Sequence, residues 1–385
     1  MNRTLQELRA RLPDWIGGRL RAKKFRYKAS EVPPLNAVPA MPVRVYIGPA
    51  NYAGQGYRFA RAIESLPGVV AVNMQLKSSV YGFPADIFVP HNVFYFSVRW
   101  QRAQFAYVVE NFTHVIYEAA LPLFGDLFDG DVETEIEGLR SRGVRVAMLS
   151  HGSDLRSPDL HRSRDRWSPF HDDNPAVDSL RQVTAKNQAL FRKLEVPVFV
   201  TTPDLLADWP TATWIPVVVD PSRWERESPV FERPRPLVLH APTNPWIKGS
   251  ELIEPVLTRL HDAGVIEYRR VMGIPADEMP ELYRSADIVL EQFRIGTYSV
   301  TAVEALAAGC IVVAHLFPDV REHVESTTGL EVPVVEATVD DLDELIRAIC
   351  SDRDRYRKHS RLGPEFVRAV HGGRRSAEMF EEFLR

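Results

Sequence analysis

Short apolar runs alternate with longer amphipathic stretches along most of this 385-residue chain. Val43–Ile47, Val69–Met74, Ile87–Val89, His114–Tyr117, Val144–Leu149 and Val196–Thr201 are rich in β-branched and aromatic residues. Many of their apolar positions are consecutive rather than alternating, the pattern of strands buried on both faces. Tyr57–Ser65 and Val132–Ser141 lie between them and read as helices. After a polar connection over 214–236 the alternation restarts with Leu237–His240, Tyr268–Met272, Ile288–Leu290, Ile311–Ala314 and Val332–Val335. Helices are expected to begin near Ser250, Asp277, Ser299, Val320 and Val339. Strand and helix in alternation predict an α/β chain with two doubly wound parallel sheets of Rossmann type facing a central cleft. Residues 155–178, rich in Arg, Asp, Ser and Pro, are expected to form a long loop at that cleft.

The densest chemistry lies in Ala286–Leu316, ADIVLEQFRIGTYSVTAVEALAAGCIVVAHL. It reads as strand, polar loop, short helix and strand. Ser299 stands at the N-cap position, Val300, Val303, Leu306 and Ala307 follow at helical spacing, and Ala308-Gly309 closes the helix. Glu304 sits inside that helix among small and apolar neighbours. Burying a carboxylate costs on the order of several kcal/mol unless it is paired or binds something. A strand, a turn and a helix N-terminus form an anion site, and a carboxylate one turn further in can accept both hydroxyls of a ribose. Pairing with Arg294 is the purely structural alternative.

Three further segments carry candidate chemistry. Lys248-Gly249 precedes the helix expected at Ser250, where a point charge and backbone N–H groups can meet a diphosphate. Gly48, Gly54 and Gly56, with Asn51 and Gln55, form a loop after the first strand in which backbone can approach a phosphate or sugar. His151 and Asp154 follow Val144–Leu149 at its C-terminal end, where open α/β sheets bind ligands, and Ser153 and Arg156 beside them can hold hydroxyls or an anionic acceptor. The bland readings are a turn lysine, a generic glycine loop and a strand-capping histidine. His91, His114, His161 and His240 are too scattered to suggest a metal centre, so no metal is expected. Neither G-x-G-x-x-G after the first strand nor a Walker A sequence is present, which argues against nicotinamide and P-loop chemistry.

Taken together and in this order, the pieces resemble the retaining GT-B glycosyltransferases, glycosyltransferase family 4, in a divergent branch. Met41–Glu64 resembles the family's first strand, glycine loop and helix, and Ser150–Asp154 (SHGSD) the segment bearing its active-site histidine. Trp214–Trp224 (WIPVVVDPSRW) resembles its interdomain link, and His240–Ser250 (HAPTNPWIKGS) its phosphate loop. The resemblance covers roughly residues 41 to 385. It implies an acceptor domain over 41–220, a donor domain over 221–372, and a C-terminal segment 373–385 crossing back onto the first. It implies catalytic roles for His151, Lys248 and Glu304. Donor contacts would come from Gly54, Gln55, Thr243, Gly273, Glu291, Gly296, Thr297, Tyr298 and Ser299, and acceptor contacts from Asn51, Asp154 and Arg156. Two positions depart from the pattern. Gly296 stands where the family has a first glutamate, eight before Glu304, and Thr243 where it has an arginine. Glu291 is the nearest substitute carboxylate.

Composition narrows the setting. A hydrophobic share of 45% and a charged share of 25% are globular values, and the length suits two domains. The formal charge of −4 argues against a general nucleic-acid partner. Cys310 and Cys350 make neither a disulfide framework nor a metal site. No apolar run of about 20 residues and no signal-peptide core are seen, so the expected location is the cytoplasm. Residues 1–28 carry nine Lys/Arg against Glu7 and Asp14, with Leu5, Leu8, Leu12, Ile16 and Leu20 at helical spacing. That pattern suits either an interfacial helix on the inner, anionic face of a membrane or a helix packed on the first domain, and Pro13 would kink it. A proline-rich linker over 29–42 follows. The expected function is transfer of a sugar from a nucleoside diphosphate sugar, with no further cofactor, to a hydroxyl of a glycan or lipid-linked glycan. A sugar-nucleotide 2-epimerase-like isomerase and a non-catalytic sugar-nucleotide-binding protein are the alternatives.

Overall fold

A computed structural model describes residues 25–50, 52–77 and 81–385. Most of the basic segment 1–28, and Asn51, therefore lie outside the described residues. Two parallel sheets form the frame. The first has seven strands in the order β3-β2-β1-β4-β5-β6-β7: β1 (Val43–Gly48), β2 (Val69–Leu76), β3 (Ile87–Val89), β4 (His114–Glu118), β5 (Arg145–Ser150), β6 (Val198–Val200) and β7 (Thr213–Trp214). The second has five in the order β12-β11-β10-β8-β9: β8 (Leu237–His240), β9 (Glu267–Arg270), β10 (Ile288–Leu290), β11 (Ile311–Ala314) and β12 (Val334–Glu336). Strands β4, β8, β10 and β11 are buried throughout, which is why their sequences are mostly apolar, with polar residues only at strand ends (His114, Glu118, His240).

Strand order decides where ligands can bind. In the first sheet the order reverses at β1, which pairs with both β2 and β4. In the second it reverses at β8, which pairs with both β9 and β10. At such switch points the loops leaving the two central strands diverge and open a crevice at their carboxyl ends. The loop after β1 leads into α1 (Gln55–Ile63), and β4 ends at Glu118. Those after β8 and β10 are residues 241–249 and 291–299.

Sequence patterning misses several helices. The 155–178 stretch is not one long loop. It contains α2 (Pro158–Arg164) and the start of α3 (Pro175–Leu194). Ser157 and Asn174 cap them through their side chains, a proline follows each cap, and the apolar face of α2 is too short to read as a period. The C-terminal helix Arg374–Leu384 closes the core under the first sheet. Phe380 meets Phe59 and Phe199 edge-on, with centroids 5.9 and 4.8 Å apart. Phe380, Phe383 and Leu384 are buried there, each worth about 1.5–3 kcal/mol relative to exposure. At the other end of the chain, Tyr27 is buried and Phe25 lies 4.6 Å from Phe96, so the segment leaving the basic stretch packs on the first domain.

Candidate active site

Lys248, Glu291 and Ser299 come together at the switch point of the second sheet. Lys248 closes α4 (Pro245–Lys248), a single turn that Asn244 caps through Ile247 N–H. Its Nζ donates to Glu291 Oε1 and, at 3.0 Å, to Ser299 Oγ, while the Ser299 hydroxyl donates to the same Oε1 at 2.6 Å. Glu291 is fully buried and Lys248 nearly so. The N-cap expectation for Ser299 therefore needs correction. It occupies the cap position of α6 (Val300–Ala307) but makes no side-chain cap, because its hydroxyl is turned to this cluster. Beneath it, His240 ties the ends of β8 and β10 to the following helix α5 (Ser250–Asp262). Its Nδ1 donates to Leu290 O at 2.9 Å and its Nε2 accepts from Ser250 at 2.8 Å. Burial pulls its pKa down to about 4, so it is a neutral structural group.

Glu304 projects from the second turn of α6 into a cavity of about 90 Å³ between the domains. Thr243 and Gly273 line the same cavity from the second domain, and Ala53, Tyr81 and Phe83 close it from the first. Burial pushes the Glu304 pKa up to about 7, opposed by Arg58 and Arg223. Arg294 is not its partner. That guanidinium makes a bidentate pair with Asp172 at 2.7 and 2.8 Å and donates to the carbonyls of Trp167 and Ser168.

Packing accounts for the absence of a glutamate at position 296. Gly296 has φ +73°, and a Cβ there would lie 2.4 Å from the Phe317 ring. No side chain fits without moving that ring. Thr297 and Gln292 brace the loop, with Gln292 donating to the carbonyls of Thr297 and His315. Tyr298 is buried against His371. Its hydroxyl reaches His371 Nε2 at 3.2 Å, and His371 in turn donates to Val217 O at 2.8 Å in the interdomain link.

On the first domain, His151 stands at the carboxyl end of β5 with its Nε2 3.1 Å from Glu118 Oε1. Both side chains are buried, and burial holds the Glu118 carboxyl above its ordinary range against the pull of His151. Tyr52 stacks on the imidazole at 4.5 Å. Glu118 packs so close to α1 that a Cβ at Gly56 would lie 2.8 Å from its oxygens. Gly54, at φ +67°, turns the chain into that helix beside Phe83. Gln55 is committed elsewhere, exchanging two hydrogen bonds with the Val218 backbone at 2.7 and 3.1 Å.

The two described acceptor candidates are also engaged. Asp154 accepts the backbone N–H groups of His151 and Gly152, both at 2.9 Å, and so shapes the loop. Arg156 is buried in an ion pair with Asp204 at 2.7 Å. Glu118 escaped the sequence reading although its signal was available: it closes the apolar strand HVIYE as Glu291 closes IVLE. Tyr52, Tyr81, Phe83 and Asp172 lie in loops without periodicity and had no comparable signal.

Residues 236–351 match the family model "Glycosyl transferases group 1". Sucrose-phosphate synthase (tll1590) from Thermosynechococcus elongatus superposes with a TM-score of 0.58 at 13% identity, over 89% of this chain and 98% of that one. HepE (Alr3699) of Anabaena, solved with UDP-glucose, gives 0.55 at 11% identity over 88% and 98%. WaaG, a glycosyltransferase involved in lipopolysaccharide biosynthesis, gives 0.53 at 11% identity over 89% and 99%. A search of curated proteins returned no match. The structural likeness carries the fold and the family match carries the chemistry: the chain has the GT-B fold, and its residues 236–351 match a group 1 glycosyltransferase domain.

Proposed function

We propose that the protein is a retaining glycosyltransferase that moves a sugar from a nucleoside diphosphate sugar to a hydroxyl of a glycan or lipid-linked glycan. The observation that carries the reading is the joint placement of Lys248 and Glu304. One stands at the N-terminus of α6, the other one turn inside it, facing the cavity. A nucleotide lying along this helix would put its ribose hydroxyls on Glu304 and its diphosphate on Lys248 and the helix N–H groups. UDP and UDP-glucose occupy HepE, a protein of the same fold, and a uridine nucleotide is the first probe to use.

In the reaction the bond from the sugar's anomeric carbon to the diphosphate breaks as the acceptor oxygen approaches on the same face. A diphosphate oxygen takes the acceptor proton. Glu118 and Glu291 each have one oxygen engaged, by His151 and by Lys248 with Ser299, and this reading gives neither the role of nucleophile. Catalysis is electrostatic: fixed charge and dipoles meet the negative charge that grows on the leaving diphosphate.

The Glu304 assignment has a pH signature. Two ribose hydroxyls that both donate need both carboxylate oxygens as acceptors, and protonation turns one oxygen into a donor. Because burial raises this pKa to about 7, UDP affinity should rise with pH and level off above about 7. Below that it should fall by up to about tenfold per unit. Glu304→Gln should remove this component, leaving only the dependence due to ionisation of the UDP phosphate, and weaken binding at pH 8 by about 1–2 kcal/mol. Calorimetric titration of both proteins from pH 5.5 to 8.5 checks this, and a flat parent profile removes Glu304 from the ribose site.

Among the described residues no helix is long and apolar enough to cross a membrane. Attachment to an anionic surface through the basic segment belongs to the same proposal. Deleting residues 1–24, which spares the packed Phe25 and Tyr27, should abolish salt-sensitive flotation with anionic vesicles. If the intact chain never floats, the segment has another role.

A further inference from the structure

The segment 157–174 leaves the first domain and seats on the second. His161 Nε2 lies 3.1 Å from Ile295 O, Arg164 meets Asp319 at 2.6 Å, Asp165 lies 3.5 Å from His315, and Arg166 pairs with Asp340. The Arg164 and Arg166 pairs lie on the rim, whereas His161 and Asp165 are buried; Asp172 is itself partly exposed. Asp172 differs, because it reaches both loops that build the donor wall. It takes the bidentate pair from Arg294, in the loop after β10, and its Oδ2 also accepts the indole N–H of Trp246 at 2.8 Å. Trp246 lies two residues before Lys248 in the loop after β8. The two loops meet independently where Phe293 N–H donates to Lys248 O at 3.1 Å.

The geometry points to Asp172 as a positioning residue through which the first domain sets both donor loops of the second. Its carboxylate touches neither Lys248 nor Glu291. It fixes the turn that carries Lys248 through Trp246, and the 293–298 loop through Arg294. Charge-assisted, bidentate bonds hold geometry more tightly than neutral ones, so one carboxylate can keep two loops in register. Parting of the domains would break these bonds and release both loops at once, which makes a competent donor wall a property of the closed molecule. This inference deepens the donor-site reading proposed above and rests on it for its functional meaning.

Hydrogen exchange on the full chain without nucleotide tests the positioning itself. Asp172→Ala should speed exchange at least tenfold in both 245–249 and 293–298 while leaving β10 and β11 unchanged. Asp172→Asn should loosen 293–298 more than 245–249, because an amide oxygen still accepts the indole N–H but no longer receives the guanidinium as an anion. Arg166→Ala, which removes a rim pair, should change neither loop. Acceleration confined to 165–174, or to one loop only, overturns the proposal. A second arm adds UDP to the parent. Protection of both loops by UDP supports the donor reading. No protection by UDP, GDP or ADP, with both loops still loosened by Asp172→Ala, sinks the donor reading and leaves the positioning role standing.

Discussion

Replacing Lys248 by alanine is expected to lower turnover about 100-fold or more while changing the affinity for free UDP far less. The reason is when the charge matters. Negative charge on the diphosphate grows as the glycosidic bond breaks, and an interaction that is stronger in the transition state than in the ground state appears in kcat. Removing one preorganised contact to such a charge typically costs about 100-fold or more. Thr243 carries no charge, and Arg294 is tied to Asp172 and two backbone carbonyls. The substitution also strands Glu291, a fully buried carboxylate whose Oε1 Lys248 and Ser299 now hold. A Lys248→Met, Glu291→Gln double variant separates the two effects: it removes the stranded charge and should regain stability but not turnover. The measurement is kcat for parent and variants with one donor. A change under threefold would place the diphosphate elsewhere.

Arg156→Met is expected to destabilise the protein by about 3–5 kcal/mol. A buried ion pair is worth little against a well-packed apolar substitute, but removing one partner leaves the other charge buried and unpaired. Asp204 would be that charge, since its carboxylate is nearly inaccessible and faces Arg156 at 2.7 Å. The double replacement Arg156→Met, Asp204→Leu should therefore recover much of the loss. Urea unfolding of the three proteins checks both statements. A loss below about 1 kcal/mol in the single variant would restore Arg156 to the acceptor site, where its residue type and its position after the SHGSD segment had suggested it belonged.

The fold was legible because it depends on period and order. Consecutive apolar residues in β4, β8, β10 and β11 can be satisfied only by strands covered on both faces, and their alternation with helices leaves few arrangements besides two parallel sheets. Lys248 and Glu304 were legible for a related reason. Each sits a short, countable distance from a strand end, so local geometry alone aims it at the crevice.

The partner of each polar side chain was decided by tertiary structure. Gln55, Asp154, Arg156 and Tyr298 have residue types that suit a sugar site and lie in loops near it, yet each is turned to a partner well away in sequence or to the loop's own backbone. Chain order does not encode which carboxylate a guanidinium will meet from another element; Arg294 finds Asp172, 122 residues earlier. The missing glutamate at Gly296 is likewise a packing result, set by the ring of Phe317. The sequence by itself determined the two parallel sheets and the strand–loop–helix segments carrying Lys248 and Glu304, because those follow from local periodicity and strand ends; the strand order and its switch points came from the tertiary structure. Only the tertiary structure decided which charges remain open to a ligand, because a buried polar group must be satisfied by whatever the fold brings within reach.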